Sequence, residues 1–137
     1  MVGHGKYKVT VENAVICVTF IGMFNEVTSH NVCSYVEDLI HGMNGANFCV
    51  LFNMLNYEGS TPEAHKVGDK HFEWLESQNC LGRATVVTQK ALVNIARSKQ
   101  ESLRSSNIKA RMFDNENDAK EWLLSLLKNK DSTPSHL

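Results

Sequence analysis

Hydrophobic and polar positions along the chain alternate between two periodicities. Short apolar runs rich in β-branched and aromatic residues predict strands, and apolar residues three or four positions apart predict helices. The chain begins with two strand-like runs, Tyr7–Glu12 and Ala14–Phe20, joined tightly around Asn13 as in a hairpin. The second run is apolar on both faces, which is typical of a strand inside a sheet. We expect Gly22–Asn25 to end it.

Three more strand-like runs follow, at Phe48–Met54, Arg83–Thr88 and Ile108–Phe113. The first is continuously apolar, which indicates a central, buried strand. The last alternates apolar residues with Lys109 and Arg111, and charge of this kind favours an edge strand.

Four segments with helical periodicity lie between and after the strands. They are Glu26–Gly42, Thr61–Gln78, a segment marked by apolar residues between 92 and 103, and a C-terminal segment whose stripe runs from Ala119 to Leu127. Asn115–Asp118 supplies an N-cap and an acidic first turn for the last one. In the second helix the expected inward set, with Gly68 permitting close packing, is Ala64, Val67, His71 or Phe72, and Leu75.

The resulting order, ββαβαβαβα, predicts a single α/β domain. An N-terminal antiparallel hairpin followed by strand–helix alternation gives a mixed, largely parallel sheet with about four helices packed on it. We expect the domain to span residues 1–127 and a flexible C-terminal tail, which contains Pro134, to span 128–137.

Composition narrows the function classes. The chain has 137 residues, 42% hydrophobic and 21% charged, which is long enough to bury a core without metal or disulfides. A formal net charge of −1 offers no global field to attract nucleic acid. The longest apolar run is far shorter than a bilayer span, and no secretory leader is evident, so we expect a cytoplasmic protein without an integral membrane segment.

Four cysteines are spread singly along the chain, and none forms a CxxC pair or has a histidine at zinc-ligand spacing. This pattern predicts reduced and mostly buried thiols, with no metal site and no cofactor. The four are Cys17, Cys33, Cys49 and Cys80. We expect Cys80 to be the most exposed, because it follows a polar stretch of the sequence.

Several segments, taken in order, resemble one known family. Val18–Asn25 has the strand, glycine, hydrophobic residue, Asp/Asn and helix layout of STAS (anti-anti-sigma factor) domains, and Phe48–Ser60 is similar to their central strand and following turn. The later segments are closer to the SpoIIAA-like branch, which is related to STAS and CRAL-TRIO domains. They are the Arg83–Val87 strand, Arg111-Met112-Phe113, and Ala119-Lys120-Glu121-Trp122-Leu123.

The resemblance spans about Lys6–Leu127 and implies a SpoIIAA-like fold more than a specific role. Its distant relatives divide between protein-switch modules and lipid carriers. In anti-anti-sigma domains, the turn after the central strand carries a serine that a partner kinase phosphorylates. Ser60 and Thr61 occupy this place, although Gly59-Ser60-Thr61-Pro62 departs from the family's Asp-Ser-Ser-Gly.

The same residues have a structural interpretation. Ser60-Thr61-Pro62-Glu63 fits the S-x-x-E capping box, with Pro62 in the first helical turn, and this favours simple helix capping by Ser60 over regulated phosphorylation.

Other chemistry is weakly indicated. His65 and Asp69 lie four residues apart on one helical face, where a surface pair is favoured over a metal half-site. No nucleophile elbow, zinc-protease or nucleotide-binding motif is present, so we expect a non-enzymatic protein. Four basic residues could gather into an anion-binding patch, although scattered cations are favoured: Arg83, Arg104, Lys109 and Arg111.

A set of large apolar side chains lies near the turns that follow the strands, where open α/β sheets bind ligands. The leading hypothesis is a surface for a protein partner or a second copy of the chain, with Ser60 at its centre. The alternative is a cleft for a small apolar or lipid-like ligand under the Thr61–Gln78 helix. The candidate residues are Phe24, Met54, Leu55, Tyr57, Phe72 and Trp74.

Overall fold

The computed structural model describes residues 3–91 and 109–132 of the chain. Within them the fold is a mixed five-stranded sheet covered by helices on both faces. The elements in chain order are β1 (Lys6–Glu12), β2 (Val15–Phe24), α1 (Glu26–His41), β3 (Phe48–Ser60), α2 (Pro62–Leu75), β4 (Cys80–Val86), β5 (Lys109–Phe113) and α3 (Glu116–Ser132).

The sheet order follows the chain order, β1-β2-β3-β4-β5. Strands β1 and β2 pair antiparallel, and the remaining neighbours pair parallel. The predicted α/β architecture with an N-terminal hairpin is therefore confirmed, as is the edge position of β5. Asn13 and Ala14 form the tight hairpin turn, and both have positive φ, 52° and 65°.

Strand β2 does not end at Gly22, as expected, but continues to Phe24. Glycine was expected to end the strand because it has no side chain to pack, yet here it lies opposite a bulge in β3. The register between β2 and β3 shifts twice, between Thr19 and Ile21 and again between Gly22 and Met23. Gly22 takes a φ of 83°, which only glycine adopts readily.

Strand β3 also exceeds its predicted end. It runs six residues past Met54, so the segment expected to be a turn pairs with the extended end of β2 instead. As a result, Tyr57 and Ser60 lie on a strand, beside the beginnings of α1 and α2.

Each face of the sheet has its own hydrophobic core. On one face, β2 and β3 pack against α1 and α2, with Phe24, Phe48, Val50 and Leu75 almost fully buried. On the other face, α3 covers β2–β5 through a second cluster that contains Val15, Cys49, Leu51, Ala84, Val86, Phe113, Ala119, Leu123 and Leu127.

Helix α3 extends to Ser132, so its last turn continues past residue 127. Helical backbone also begins at residue 89, where the Ala91 N–H donates to the Thr88 hydroxyl. The predicted third helix between residues 92 and 103, together with Arg104 and Ile108, lies outside the described residues. No helix in the described ranges has the length and apolar character to cross a bilayer.

Candidate functional site

The first face of the sheet holds an apolar cleft between β2, β3 and the two helices. Its volume is about 140 Å³. The sheet forms its floor, α1 forms one wall and α2 forms the other. The floor consists of Val18, Phe20, Phe24, Phe52, Met54, Tyr57 and Ser60.

Helical spacing places the wall residues on one stripe of each helix. Helix α1 contributes Ser29, Val32, Cys33 and Val36, at the i, i+3, i+4 and i+7 positions of one helix face. Helix α2 contributes a corresponding set, in which Gly68 leaves a gap because no atom lies within 4 Å of the position a Cβ would take. The sequence suggested that Gly68 allows close packing, but in the structure its missing side chain instead leaves the cleft open. The full α2 set is Ala64, His65, Gly68, Asp69, His71 and Phe72.

His71 is the polar group most deeply set in this wall. It is 5% exposed, and its Nδ1 lies 2.7 Å from Oε2 of Glu37 on α1. A carboxylate can only accept hydrogen bonds, so Nδ1 carries the hydrogen and donates it to Glu37. The contact joins the two helices near the end of the cleft farthest from their N-termini. Trp74 stacks on the same imidazole, with ring centroids 6.1 Å apart.

The sequence offered His71 only as one of two choices for the inward helix face. Its pairing with Glu37, 34 residues earlier, was missed because nothing local marks it. The available signal was the spacing of Ala64, His71 and Leu75, which are the buried residues of α2.

The opposite end of the cleft is formed by the residues that precede and begin α2. The hydroxyls of Tyr57 and Ser60 are hydrogen-bonded to each other. Thr61, not Ser60, caps the helix, since its Oγ1 accepts from the Ala64 N–H at 3.2 Å. The capping prediction was therefore wrong by one residue, because β3 continues through Ser60 and only the next residue is free to cap. Asn25 caps α1 in the same way, accepting from the Thr28 N–H.

The predicted aromatic and apolar surface is only partly assembled. Phe24, Met54, Tyr57 and Phe72 line the cleft together with Ser60. Phe24 is 1% exposed and forms part of the floor, whereas Phe72 is 39% exposed at the rim.

Two of the predicted residues lie elsewhere. Leu55 is exposed and does not line the cleft, and its backbone N–H donates to the Asn53 side chain. Trp74 packs against His41 and His71 beyond the cleft. The surface predicted between Tyr57 and Trp74 is thus divided.

The expected surface pair between His65 and Asp69 does not form. Both side chains are exposed and line the mouth of the cleft, but no ion pair joins them within the described part of the chain. No group of three or more metal-ligating side chains occurs among the described residues either.

The basic residues that the structure describes do not all gather on one face, since Lys109 and Arg111 share one face of β5 and Arg83 lies on the other face of the sheet. Arg83 pairs with Ala110, and Ala84 pairs with Arg111, so the two guanidinium groups lie on opposite faces of the sheet. Arg83 lies over the Phe72 ring, 4.8 Å from its centroid, and Arg111 lies over Phe113. Each cation thus covers an aromatic ring on its own face.

All four thiols are free, and burial raises the pKa of each. The pKa of Cys33 rises to about 12, first by burial and then by the nearby Glu37 charge. Cys80, expected to be exposed, is 8% exposed, because it begins β4 instead of lying in the preceding turn. A raised pKa leaves little thiolate, so these are inert thiols.

The fold can be assigned to a known protein family. A family model described as SpoIIAA-like matches residues 15–124, which is more than half of the chain. The chain belongs to the SpoIIAA-like family. Its match includes both walls of the cleft and the strands of its floor.

A solved structure agrees with this assignment. The crystal structure of an uncharacterized protein of the DUF3478 family with a SpoIIAA-like fold, from Shewanella loihica PV-4, is similar with a TM-score of 0.69. The similarity covers 90% of this chain and 96% of that chain at 10% sequence identity, so it speaks to the fold alone. No curated protein matches the chain.

Proposed function

We propose that this SpoIIAA-like chain is a non-enzymatic binding module whose site is the cleft between the sheet and helices α1 and α2, and that the cleft takes a small apolar ligand. The cleft itself carries the proposal. An apolar cavity of about 150 Å³ inside a protein is large enough to bind benzene. The cleft here has a similar volume, about 140 Å³, and a floor composed mostly of aromatic and aliphatic side chains.

The inert thiols support the non-enzymatic part of the proposal. The thiol on the cleft wall, Cys33, has a pKa raised to about 12, so it is a poor nucleophile. Four free thiols also fit a reducing, cytoplasmic location, which is part of the same proposal.

The test is a titration of the chain with fluorobenzene, followed by ¹⁹F NMR. Fluorobenzene is close to benzene in size and carries its own reporter nucleus. We expect saturable binding to the natural chain and loss of binding in Gly68→Leu, because the new side chain would enter the open space beside Gly68. Leucine is also a better helix former than glycine, so the variant should remain folded.

The matched control is Lys70→Leu, which adds the same side chain to an exposed position of α2 that does not line the cleft. Binding by Lys70→Leu and none by Gly68→Leu supports the cleft as the site. Equal binding by the two variants, or no binding by the natural chain, contradicts the proposal.

A second candidate is association with a protein partner or a second copy through the outer surface of α2. The observation that favours it is the Phe72 ring, which is 39% exposed at the cleft rim. Sedimentation of the natural chain and of Phe72→Ala would test self-association. A dimer that Phe72→Ala disrupts supports it, and a monomer at every concentration contradicts it. Phosphorylation at Ser60 or Thr61 stays a proposal on the family resemblance, and mass spectrometry of protein purified from its host would detect it.

A further inference from the structure

The cleft has one polar feature that its apolar lining does not explain, the second nitrogen of His71. The imidazole is 95% buried, and only its Nδ1 is engaged, by Glu37. Nε2 makes no hydrogen bond within the described residues. Every fully buried side-chain nitrogen or oxygen described in the chain has a partner, so Nε2 must retain access to open space. His71 is one of the residues that line the cleft, so this space adjoins its side chain.

Glu37 also determines what Nε2 can do. Since Nδ1 carries the hydrogen that Glu37 accepts, Nε2 of the neutral ring has a lone pair and accepts a hydrogen bond. A partner in the cleft must therefore offer a donor such as an O–H group. The stacked Trp74 ring holds the imidazole plane, so the direction of this lone pair is fixed.

The charges around the cleft exclude a different head group. Neither lysine nor arginine lines it, and Asp69 stands at its mouth. The Arg83 guanidinium lies over the ring of the rim residue Phe72, 4.8 Å from its centroid. A carboxylate or phosphate inside the cleft would lose its water with no lysine or arginine of the lining beside it, which is unfavourable. The chemistry favours a neutral ligand.

We infer that the cleft selects a small neutral aromatic alcohol of the phenol class, with its ring over the apolar floor and its hydroxyl donating to Nε2 of His71. The inference rests on the proposed function and adds the class of ligand to it. The volume, about 140 Å³, suits one six-membered ring with a hydroxyl.

The experiment compares phenol, fluorobenzene and benzoate on the natural chain, by competition against the ¹⁹F signal of fluorobenzene. Phenol and fluorobenzene have nearly the same size, but only phenol donates a hydrogen bond. One hydrogen bond in a protein site corresponds to about three- to tenfold in affinity, so we expect phenol to bind tighter by that factor and benzoate to compete poorly. This comparison needs no variant.

The variant His71→Leu then assigns the preference to its residue. It replaces the ring by an apolar side chain, and the Glu37 carboxylate left behind is 32% exposed and can be hydrated. We expect His71→Leu to bind fluorobenzene but to lose the preference for phenol.

The remaining outcomes distinguish failure of this inference from failure of the proposed function. Equal affinity for phenol and fluorobenzene, or a phenol preference that persists in His71→Leu, overturns the inference and leaves the apolar cleft standing. Tighter binding of benzoate overturns the neutral-ligand class. No binding of any of the three compounds overturns the proposed function itself.

Discussion

The imidazole of His71 lies 2.7 Å from the carboxylate of Glu37, and this contact ties α2 to α1 across the end of the cleft. His71 is 5% exposed and Glu37 is 32% exposed, so the pair joins a buried ring to a group that water can reach. The pair therefore fixes the relative position of the two helices at one polar point.

Removal of this carboxylate should weaken the folded state. In Glu37→Ala the buried Nδ1–H loses its acceptor, and we expect the free energy of unfolding to fall by about 1–2 kcal/mol, the lower part of the range for an unsatisfied buried donor because water can enter the vacated position. Urea denaturation measures the change. Asp38→Ala is the matched control, since it removes an exposed carboxylate from the adjacent position of α1. Equal losses in both variants would show that the pair with His71 contributes nothing.

The order of the elements could be predicted from the sequence, and the reason is physical. Helix α3 carries a helical periodicity, and the buried part of β3 is a continuous apolar run whose short length and aromatic content favour a strand over a helix. Local patterns also gave the edge position of β5 and the tight turn at Asn13. These features depend on residues close together in the chain.

Features that depend on distant residues were less predictable. Gly22 looked like a strand end, but β2 continues past it because it pairs with the long β3, which bulges beside this position. Thr61 took the capping role expected of Ser60 because β3 continues one residue farther. The contact of His71 with Glu37 exists only because β3 brings the two helices side by side. The residues are 34 positions apart, so no local sequence pattern predicts this contact.

A side chain at Gly82 should be unfavourable, because α3 crosses β4 at this point and the ends of its leucine side chains would have to move. A Cβ there would clash with Cδ1 of Leu126 and lie 3.3 Å from Cδ2 of Leu123. We expect Gly82→Ala to lower the free energy of unfolding by about 1–3 kcal/mol through overpacking. Thermal unfolding measures it against Gly68→Ala, which adds the same methyl group to open space and should raise stability by up to about 1 kcal/mol. We expect the two variants to change stability in opposite directions, and two equal changes would contradict the packing described for Gly82.

The thiols should resist alkylation while the chain is folded. Burial raises the pKa of Cys33 and of Cys80 to about 12 and that of Cys49 to about 11. At pH 8 a thiol with a pKa of 12 is ionised in about one molecule in ten thousand, against roughly a quarter for an ordinary thiol. We expect iodoacetamide to modify these three cysteines more than a hundredfold faster in urea than in buffer, as followed by mass spectrometry. Rapid modification of Cys80 in buffer would contradict its burial.

The same shifts predict a loss of stability at alkaline pH. The thiol pKa is higher in the folded chain than in the unfolded chain, so the unfolded chain releases its proton first as the pH rises. The stabilising contribution is therefore complete below about pH 8.5 and declines as the pH approaches the folded pKa of Cys80, about 12. The difference in unfolding free energy between the natural chain and Cys80→Ala should narrow by about 2 kcal/mol from pH 8 to pH 10. A constant difference would mean that Cys80 ionises alike in both states.

The hairpin turn offers a stabilising substitution. Ala14 has a φ of 65°, a left-handed conformation that is unfavourable for a residue with a Cβ by about 1–2 kcal/mol. Glycine adopts it freely, and Asn-Gly is the preferred sequence for a two-residue turn in which both φ values are positive. Part of the gain is offset by the greater entropy of glycine in the unfolded chain, about 0.5–1 kcal/mol. We therefore expect Ala14→Gly to stabilise the fold by about 0.5–1 kcal/mol, a rise of a few degrees in Tm.

The control for this substitution is Ala46→Gly, which makes the same exchange at an exposed position without a positive φ. There the glycine adds unfolded-state entropy with no strain to relieve, so the expected change is a loss of stability. Calorimetry of the three chains measures both shifts. A drop in Tm for Ala14→Gly as large as that for Ala46→Gly would show that the Ala14 methyl group, which packs against the α3-face core, contributes more than the turn strain removes.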